Sequence, residues 1–399
     1  MAALRSILFG SAGILAVAGA VALAHPGHPP ITPPTVAFGV KPPPIPFDLF
    51  RGQRIILDGT VNGVATPMML DSGAGATAID RAFADRIGLK GGHSIAIRGA
   101  SGEVAGQFAS GVSLFVGGLK LTGLNVIIFD LSDIARAIGR PVPVVLGREA
   151  FKAGIVTIDF PGRKITFADR AGFHAPVGAN RLAMGESGLR PTVKIGIAGL
   201  PPVDADLDLG NGGTVILANS YWRGQAALAR LPHAQGQSGG VGGLALTRRV
   251  TLPSVEFAGL RLAGVPAALN EDPQSLPVTG ANVGIEMLKS FVVTFDATGN
   301  ALYLQRPAST ANRAGFERDR AGVRPELLGD RLKLAYVSPD GPSAAAGLRA
   351  GDEIASIDGR AVDPGYYSRP DWTRGEAGRE VVLQRTDGSE VRVALRDYY

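Results

Sequence analysis

The sequence predicts a mainly β chain with two duplicated lobes and a small α+β domain at its C-terminal end. The 399 residues include 55 Gly and only 19% charged residues, a composition that favours short strands and tight turns. A segment near residue 70 recurs 137 residues later, which indicates the duplication. A chain of this length also has room for two or three domains.

The N-terminal residues 1–24 predict a secretory signal peptide. One basic residue, Arg5, precedes the apolar stretch 7–24, and Ala-Leu-Ala at 22–24 fits a cleavage site of the A-x-A type. Residues 25–47 are rich in proline and predict an extended linker. We therefore expect an exported protein, periplasmic or secreted, with a membrane anchor as the alternative if residues 1–24 are retained.

The composition excludes several kinds of chemistry. The chain has no Cys, which rules out disulfides, thiol catalysis and thiolate metal sites. His93, His174 and His233 are scattered along the sequence, and we expect neither a metal nor another cofactor. The net charge is only +5 and the basic residues are dispersed, so we expect no nucleic-acid partner.

The duplication is anchored by a repeated aspartate motif. Residues 70–79, "LDSGAGATAI", align with residues 207–216, "LDLGNGGTVI", so that Asp71 falls on Asp208 at an offset of 208 − 71 = 137. The same offset recurs at later places in the sequence, where it aligns Gly99, Ser101 and Gly102 with Gly236, Ser238 and Gly239, and Gly147 with Gly284. The repeat predicts two lobes, residues 48–170 and residues 171–307.

Each lobe is expected to follow one order of elements. A strand leads to the aspartate loop, and in the first lobe a short helix follows at residues 80–89. A glycine-rich hairpin and further strands come next. Residues 147–160 and 284–296 then each predict a short helix, a strand and a turn.

The repeated motif predicts a pair of interacting carboxylates. An apolar strand that ends in Asp-Ser-Gly is a poor core strand, because a buried aspartate needs a partner. If the two lobes pair about an approximate twofold axis, Asp71 and Asp208 meet at that axis. Two carboxylates a few ångströms apart share one proton, and such a pair can deprotonate water while it polarises a carbonyl group.

Three motifs resemble the retropepsin-like and pepsin-like aspartic protease superfamily: "LDSGAGATAID" (70–80), "RGASGEVAG" (98–106) and "VVLGREAFKAGIVTIDF" (144–160). The resemblance implies a catalytic pair, a set of loop-supporting residues and two glycine-tipped flaps. It implies protein or peptide substrates as well. Carried over to this sequence, the pair is Asp71 and Asp208, the supporting residues are Ser72, Gly73 and Gly210, and the flap residues are Gly99, Ser101, Gly102, Gly236, Ser238 and Gly239.

The second lobe departs from the pattern of this superfamily. Leu209 stands where Thr or Ser is expected, and leucine cannot supply the hydroxyl that braces the site. Asp206 would point to the same strand face as Asp208, although the repeat favours Asp208. Two functions therefore stay open. One is an aspartic endopeptidase that activates water between two carboxylates, and the other is a non-catalytic, peptide-binding pseudoprotease.

The C-terminal part predicts a separate domain. Residues 308–320 are polar and predict a linker, after which "LKLAYV" (332–337) predicts a strand and "PSAAAGL" (342–348) a short helix. Residues 321–399 resemble a PDZ domain of the bacterial protease type, which implies a groove for a C-terminal peptide ligand. The expected second helix falls on residues 363–378, which contain prolines. A domain that packs against the lobes and stabilises them is the alternative.

Overall fold

The computed structural model describes residues 33–99, 102–273, 279–310 and 315–399. The predicted signal peptide, the first part of the proline-rich linker and Ser101 of the first predicted flap lie outside the described residues. Strands dominate the fold, so the mainly β class that the sequence predicts is confirmed. Within the described ranges, no helix is long and apolar enough to cross a membrane.

In lobe 1 and the segment before it, most strands form one mixed sheet. In chain order the elements are β1 (Thr35–Phe38), β2 (Ile45–Pro46), β3 (Asp48–Phe50), β4 (Arg54–Val61), β5 (Val64–Leu70), β6 (Ala78–Asp80), α1 (Arg81–Arg86), β7 (Ser94–Gly99), β8 (Gly102–Val116), β9 (Leu119–Phe129), α2 (Ser132–Ile138), β10 (Val144–Leu146), α3 (Arg148–Ala153), β11 (Ile155–Asp159) and β12 (Lys164–Ala168). Of these strands, β2, β11 and β12 belong to a second sheet.

Lobe 2 follows a similar order. Its elements are β13 (Asn180–Ala183), β14 (Gly185–Ser187), β15 (Arg190–Ile197), β16 (Leu200–Leu207), β17 (Val215–Leu217), α4 (Asn219–Trp222), α5 (Ala226–Ala229), β18 (His233–Gly240), β19 (Gly243–Phe257), β20 (Leu260–Asn270), β21 (Ala281–Val283), a 3-10 helix (Ile285–Met287), β22 (Val292–Asp296) and β23 (Ala301–Gln305).

The C-terminal domain is a small sheet with short helical turns. A 3-10 helix (Ala308–Thr310) precedes it. Its elements are β24 (Val323–Leu328), β25 (Arg331–Val337), α6 (Pro342–Ala345), β26 (Glu353–Ile357), β27 (Arg360–Ala361), two 3-10 helices (Tyr366–Ser368 and Trp372–Arg374), β28 (Glu380–Arg385) and β29 (Glu390–Ala394).

In lobe 1 the apolar strand β5 ends at the first aspartate. It pairs in antiparallel register with β4 and in parallel register with β10, where Leu70 lies opposite Leu146. Because neighbouring strands cover both edges and the side chains are buried on both faces, the apolar run of β5 is continuous. The Asp71 N–H still donates to the Leu146 carbonyl oxygen at 3.0 Å, and the chain then leaves the sheet.

Lobe 2 presents its aspartate in the same way. Strand β16 pairs with β15 and, in parallel register, with β21, where Leu207 lies opposite Val283. The Asp208 N–H donates to the Val283 carbonyl oxygen at 2.9 Å. Both aspartates therefore stand at the end of a buried strand, at equivalent points of the two lobes.

A six-stranded sheet joins the lobes, in the order β13-β23-β22-β11-β12-β2. At its centre β11 of lobe 1 pairs with β22 of lobe 2, and Thr157 lies opposite Thr294 with 3.1 Å between their hydroxyl oxygens. These two threonines are themselves 137 residues apart, the offset that relates the two aspartates. The junction therefore places equivalent residues of the two lobes face to face.

Candidate active site and peptide groove

The structure brings the two predicted aspartates together. Asp71 and Asp208 are both 0% exposed. A Cβ atom on Gly73 would collide with the Asp208 carboxyl, and a Cβ atom on Gly210 would collide with the Asp71 carboxyl. Each carboxyl therefore lies against the glycine of the opposite loop, and only glycine leaves room for that approach.

The Oδ1 atom of each carboxyl accepts a hydrogen bond from a glycine N–H of its own loop. The Gly73 N–H donates to Asp71 Oδ1 at 2.8 Å, and the Gly210 N–H donates to Asp208 Oδ1 at 2.8 Å. Burial raises the pKa of Asp71 well above its ordinary value of 3.8, and the neighbouring Asp208 raises it further, while the Gly73 N–H and Arg54 lower it. Burial and the neighbouring carboxyl thus favour the protonated form of Asp71.

Ser72 is the hydroxyl that connects the two loops. Its Oγ donates to the Leu207 carbonyl oxygen at 2.7 Å and accepts from the Leu209 N–H at 3.0 Å. The Leu209 side chain is 0% exposed and belongs to the main apolar core. One hydroxyl of lobe 1 therefore bonds to the main chain on both sides of Asp208, although Leu209 offers no hydroxyl in return.

Two buried asparagine amides, which were not predicted as site residues, are linked in series to Oδ2 of Asp208. Asn282 Nδ2 donates to Asp208 Oδ2 at 2.8 Å, and Asn211 Nδ2 donates to Asn282 Oδ1 at 2.7 Å. At the offset of 137 residues their counterparts in lobe 1 are Val145 and Ala74, which are apolar. A position-by-position comparison of the repeats would have revealed both amides.

Arg54 is a buried cation beside the pair. It precedes Ile55, which pairs with Leu70, so it lies across the strand from Asp71. Its Nη1 donates to the Gln53 carbonyl oxygen at 2.8 Å, and its side chain leaves no room for a Cβ atom on Gly212. Burial lowers its pKa to about 10, while the charges of both aspartates act in the opposite direction.

The register of lobe 2 puts a second arginine across from its aspartate. Thr192 pairs with Asp206, which places Arg190 opposite Asp208. Arg190 Nε lies 3.3 Å from Asp206 Oδ2. Burial raises the pKa of Asp206 to about 6 despite this cation. Asp206 is therefore the partner of Arg190, and Asp208 faces lobe 1.

The two glycine-rich hairpins meet at their tips. A Cβ atom on Gly99 would collide with Val241, and one on Gly102 would collide with the main chain of Gly242. Val241 is buried in an apolar cluster of lobe 1 that includes Ile97. The hairpins β7–β8 and β18–β19 are thus in contact across the lobes.

The turn of the second hairpin lies at Val241 and Gly242, after the predicted flap residues Gly236, Ser238 and Gly239, which lie within β18. A turn with a positive φ at its second residue favours glycine there. Gly242 holds that position with φ of 92°, and Gly243, the first residue of β19, has φ of 113°.

Asp159 and Asp296, which the repeat also relates, serve as turn residues. Asp159 Oδ1 accepts from the Gly162 N–H and Asp296 Oδ1 from the Gly299 N–H, each at 2.8 Å. Arg170 Nε also donates to Asp296 Oδ1 at 2.9 Å. Both carboxylates stabilise turns at the ends of β11 and β22.

In the C-terminal domain, a tyrosine occupies the edge where a peptide strand would be added. Strand β24 is at the end of the sheet order β24-β25-β26-β28-β29. The Leu327 N–H of β24 donates to the Tyr367 hydroxyl at 3.1 Å. Lobe 1 packs on the same tyrosine, with Arg51 4.7 Å and Phe50 6.3 Å from its ring. The Tyr367 side chain therefore covers part of the β24 edge.

Two protein families match parts of this chain. Residues 57–150 match the aspartyl protease family, and residues 320–394 match the PDZ domain family. A solved structure similar to this chain is the basic 7S globulin from soybean, at 12% identity and a TM-score of 0.41, over 70% of this chain and 97% of that chain. The predicted resemblance is thus confirmed: the chain carries a domain of the aspartyl protease family in its first lobe and a PDZ domain at its C-terminal end.

Proposed function

We propose that this protein is an aspartic endopeptidase whose catalytic residues are Asp71 and Asp208. The observation that carries the proposal is the pair of fully buried carboxyls, each packed against the glycine of the opposite loop. Burying two carboxyls side by side costs stability unless one of them holds a proton. A shared proton in a buried pair is the arrangement that acid–base hydrolysis of a peptide bond needs.

The proposed reaction conserves the single proton of the pair. The ionised carboxylate removes a proton from water as the water oxygen attacks the peptide carbonyl carbon, and the protonated carboxyl gives its proton to the carbonyl oxygen. The resulting tetrahedral diol then returns one hydroxyl proton to the carboxylate. The other carboxyl protonates the amide nitrogen, the C–N bond breaks, and the pair regains its starting state.

The test compares the wild type with Asp71→Asn on an unfolded protein substrate. The matched control is Asp159→Asn, because Asp159 is an aspartate on a turn outside the pair. We expect cleavage by the wild type at acidic pH, a loss of roughly 10²–10⁴-fold in Asp71→Asn and near-normal turnover in the control. Full cleavage by Asp71→Asn would contradict the assignment.

Peptide binding without cleavage is the second candidate function, and Leu209 is the observation that favours it. Leucine has no hydroxyl, so the loop of lobe 2 lacks one of the two hydroxyls that the superfamily resemblance implies. Under this alternative the wild type is as inactive as Asp71→Asn at every pH, while both bind an extended peptide equally well in a calorimetric titration.

We further propose that the protein is exported. The apolar stretch 7–24 and the Ala-Leu-Ala sequence at 22–24 support cleavage after Ala24. Mass analysis of the N-terminus of protein made in its native host should then find His25 first. Retention of residues 1–24 would favour a membrane-anchored form instead.

A further inference from the structure

A directed chain of three hydrogen bonds ends on one carboxyl of the pair. The Gly213 N–H donates to Asn211 Oδ1 at 2.8 Å, Asn211 Nδ2 donates to Asn282 Oδ1 at 2.7 Å, and Asn282 Nδ2 donates to Asp208 Oδ2 at 2.8 Å. Both asparagines are 2% exposed, so solvent competes little for these bonds. The chain is thus a built feature of the lobe 2 core.

The main chain fixes the direction of these bonds. A backbone N–H can only donate, so Asn211 must turn its carbonyl oxygen toward Gly213 and its NH₂ group toward Asn282. Asn282 must then accept with its oxygen and donate with its NH₂ group. The chain therefore presents a donor to Asp208 Oδ2, and a protonated Oδ2 would oppose that donor.

Lobe 1 has no such chain on Asp71. The positions that correspond to Asn211 and Asn282 hold Ala74 and Val145. Within the described residues, Asp71 Oδ2 is buried and receives no hydrogen bond from an N–H group, and the neighbouring Asp208 carboxyl is its nearby polar group. The two Oδ1 atoms each accept one loop N–H at the same distance, so the two carboxyls differ at Oδ2.

We propose that Asn282, oriented by Asn211, is a positioning residue that keeps Asp208 ionised and leaves the proton of the pair on Asp71. A carboxylate that accepts a donor on each oxygen is stabilised in its charged form, whereas an oxygen that receives no donor is free to carry the proton. For the reaction, and resting on the proposed function, Asp208 is then the base that deprotonates water and Asp71 the acid that polarises the carbonyl.

The surrounding charges leave this assignment in place. Arg54 interacts electrostatically with both aspartates and more strongly with Asp71, whose pKa it lowers, but burial and the neighbouring Asp208 raise that pKa by more. Asp206 is the other acid that interacts with Asp208, and Arg190 lies 3.3 Å from it and offsets its charge. Burial raises the pKa of Asp71, in agreement with a proton on that residue.

The test variant is Asn211→Ala/Asn282→Val, which gives lobe 2 the residues of lobe 1. The double change is chosen because Asn282→Val alone would leave the Asn211 amide without its acceptor. The matched control is Asn219→Ala, which removes a buried lobe 2 amide that bonds instead to the Asn270 and Glu271 carbonyl oxygens.

Carbon-13 NMR of aspartate carboxyl carbons reads the protonation state directly, without any need for peptidase activity. Asp71→Asn and Asp208→Asn identify the two signals. In the wild type at mildly acidic pH, we expect the Asp208 signal at the ionised position and the Asp71 signal at the protonated position. In the double variant the two signals should approach each other, while the control should resemble the wild type. The reverse order in the wild type overturns the proposal, and so does an unchanged spectrum in the double variant.

The pH profile of kcat/KM is the second readout. Losing a charge-assisted donor should move the acid limb of the profile about one pH unit higher and leave the basic limb nearly unchanged. A purely structural defect would lower the rate at every pH without moving either limb, which would also overturn the proposal.

If the variant does not fold, the wild-type NMR spectrum still decides which aspartate holds the proton. A wild type with the expected spectrum but no turnover would refute the proposed function and leave the charge assignment standing.

Discussion

At the residue scale, Ser72 carries the connection between the two aspartate loops. Its hydroxyl makes one bond to each side of Asp208 in lobe 2, and both bonds are buried. Leu209 contributes a backbone N–H to this connection and an apolar side chain to the core. The loop of lobe 2 is therefore braced by main-chain bonds where a second hydroxyl is missing.

We predict that Ser72→Ala harms turnover more than Leu209→Thr does. Ser72→Ala removes both bonds and leaves a buried N–H unpaired, which should lower the free energy of unfolding by about 1–3 kcal/mol. Leu209→Thr should cost a similar amount through lost apolar burial while the Ser72 bonds persist. Urea unfolding and turnover per folded molecule provide the measurement. Normal turnover in Ser72→Ala together with an inactive Leu209→Thr would contradict the interpretation.

The raised pKa of Asp71 predicts how stability depends on pH. Below the ordinary value of 3.8 both the folded and the unfolded states hold the proton, so the contribution of Asp71 is fully present there. As the pH rises, the unfolded chain ionises first, and stability is lost at up to about 1.4 kcal/mol per pH unit until the folded pKa is passed.

Asp71→Asn removes this dependence. Its free energy of unfolding should match that of the wild type near pH 4 and exceed it by roughly 1–3 kcal/mol near pH 6, because each pH unit contributes about 1.4 kcal/mol. Asp206 titrates in both proteins and cancels in the comparison. Denaturant unfolding across this range is the measurement, and parallel curves for the two proteins would show that the pKa of Asp71 is not raised.

The sequence could identify single residues only where the repeat made them visible. Asp71, Ser72 and Asp208 stand in the repeated motif itself. Arg54 and Arg190 come to the site through hairpin register, since each lies across the strand from an aspartate. That register is set by turns and by burial, and motif comparison does not encode it.

At the element scale, the hairpins β7–β8 and β18–β19 act across the lobe boundary. Val241, at the tip of the second hairpin, packs into the lobe 1 cluster with Ile97 and Ile134. The glycines of the first hairpin leave room for this contact. Each hairpin tip therefore supports the other.

We predict that Val241→Ser weakens the contact between the two hairpins. Losing a buried valine costs about 1.5–3 kcal/mol, so KM for a peptide substrate should rise roughly tenfold, with a smaller effect on kcat. The matched control is Leu246→Ser in the same hairpin, because Leu246 is half exposed. The measurement is the steady-state kinetics of both variants. Equal KM values in the two variants would show that the Val241 contact does not contribute to substrate binding.

Glycine-rich hairpins were predictable as elements, but their tips were not. The turn of β18–β19 falls where Gly242 and Gly243 adopt positive φ, and several other glycines nearby made the position ambiguous from sequence alone. The expected second helix of the PDZ domain is replaced by two 3-10 helices. Arg369, between them, is extended with ψ of 159°, as the residue before Pro370 requires.

At the scale of the whole molecule, the PDZ domain contacts both lobes. Asp371 lies 3.5 Å from Arg51 of lobe 1. On lobe 2, the Gln235 N–H donates to Asp340 Oδ2 at 2.8 Å, and the Ser338 hydroxyl donates to the Gln235 carbonyl oxygen at 2.7 Å. Gln235 belongs to the hairpin strand β18. The structure therefore favours the packed domain over an open groove, the alternative that the prolines of 363–378 suggested.

We predict that Tyr367→Ala exposes the β24 edge and strengthens peptide binding. The PDZ domain implies a peptide ligand, and a groove that is filled in the resting state reduces the apparent affinity. Affinity for a peptide with a free C-terminal carboxylate should rise about tenfold or more, measured by fluorescence polarisation. The control is Tyr336→Phe, which loses the hydroxyl that bonds to the Gln235 carbonyl oxygen and leaves Tyr367 in place. Unchanged or weaker binding in Tyr367→Ala would refute the closed-groove interpretation.

The mainly β class and the C-terminal PDZ domain were predictable because composition, the repeat and local motifs all report on them. The position of the PDZ domain was not, because it depends on isolated contacts such as Arg51 on Tyr367 and Ser338 on Gln235. Such contacts join surfaces that are far apart in sequence, and each involves residue types that are common on any protein surface.

In the proposed function, the two lobes together supply one acid–base pair. Turnover of an unfolded protein at acidic pH by Asp71→Asn, by Asp208→Asn and by the double variant tests it most directly. Residues that act as a unit are strongly non-additive, so each single variant should fall to the residual rate of the double variant. Substantial turnover by Asp208→Asn beside an inactive Asp71→Asn, or losses that simply multiply in the double variant, would show that the two carboxyls do not act as a pair.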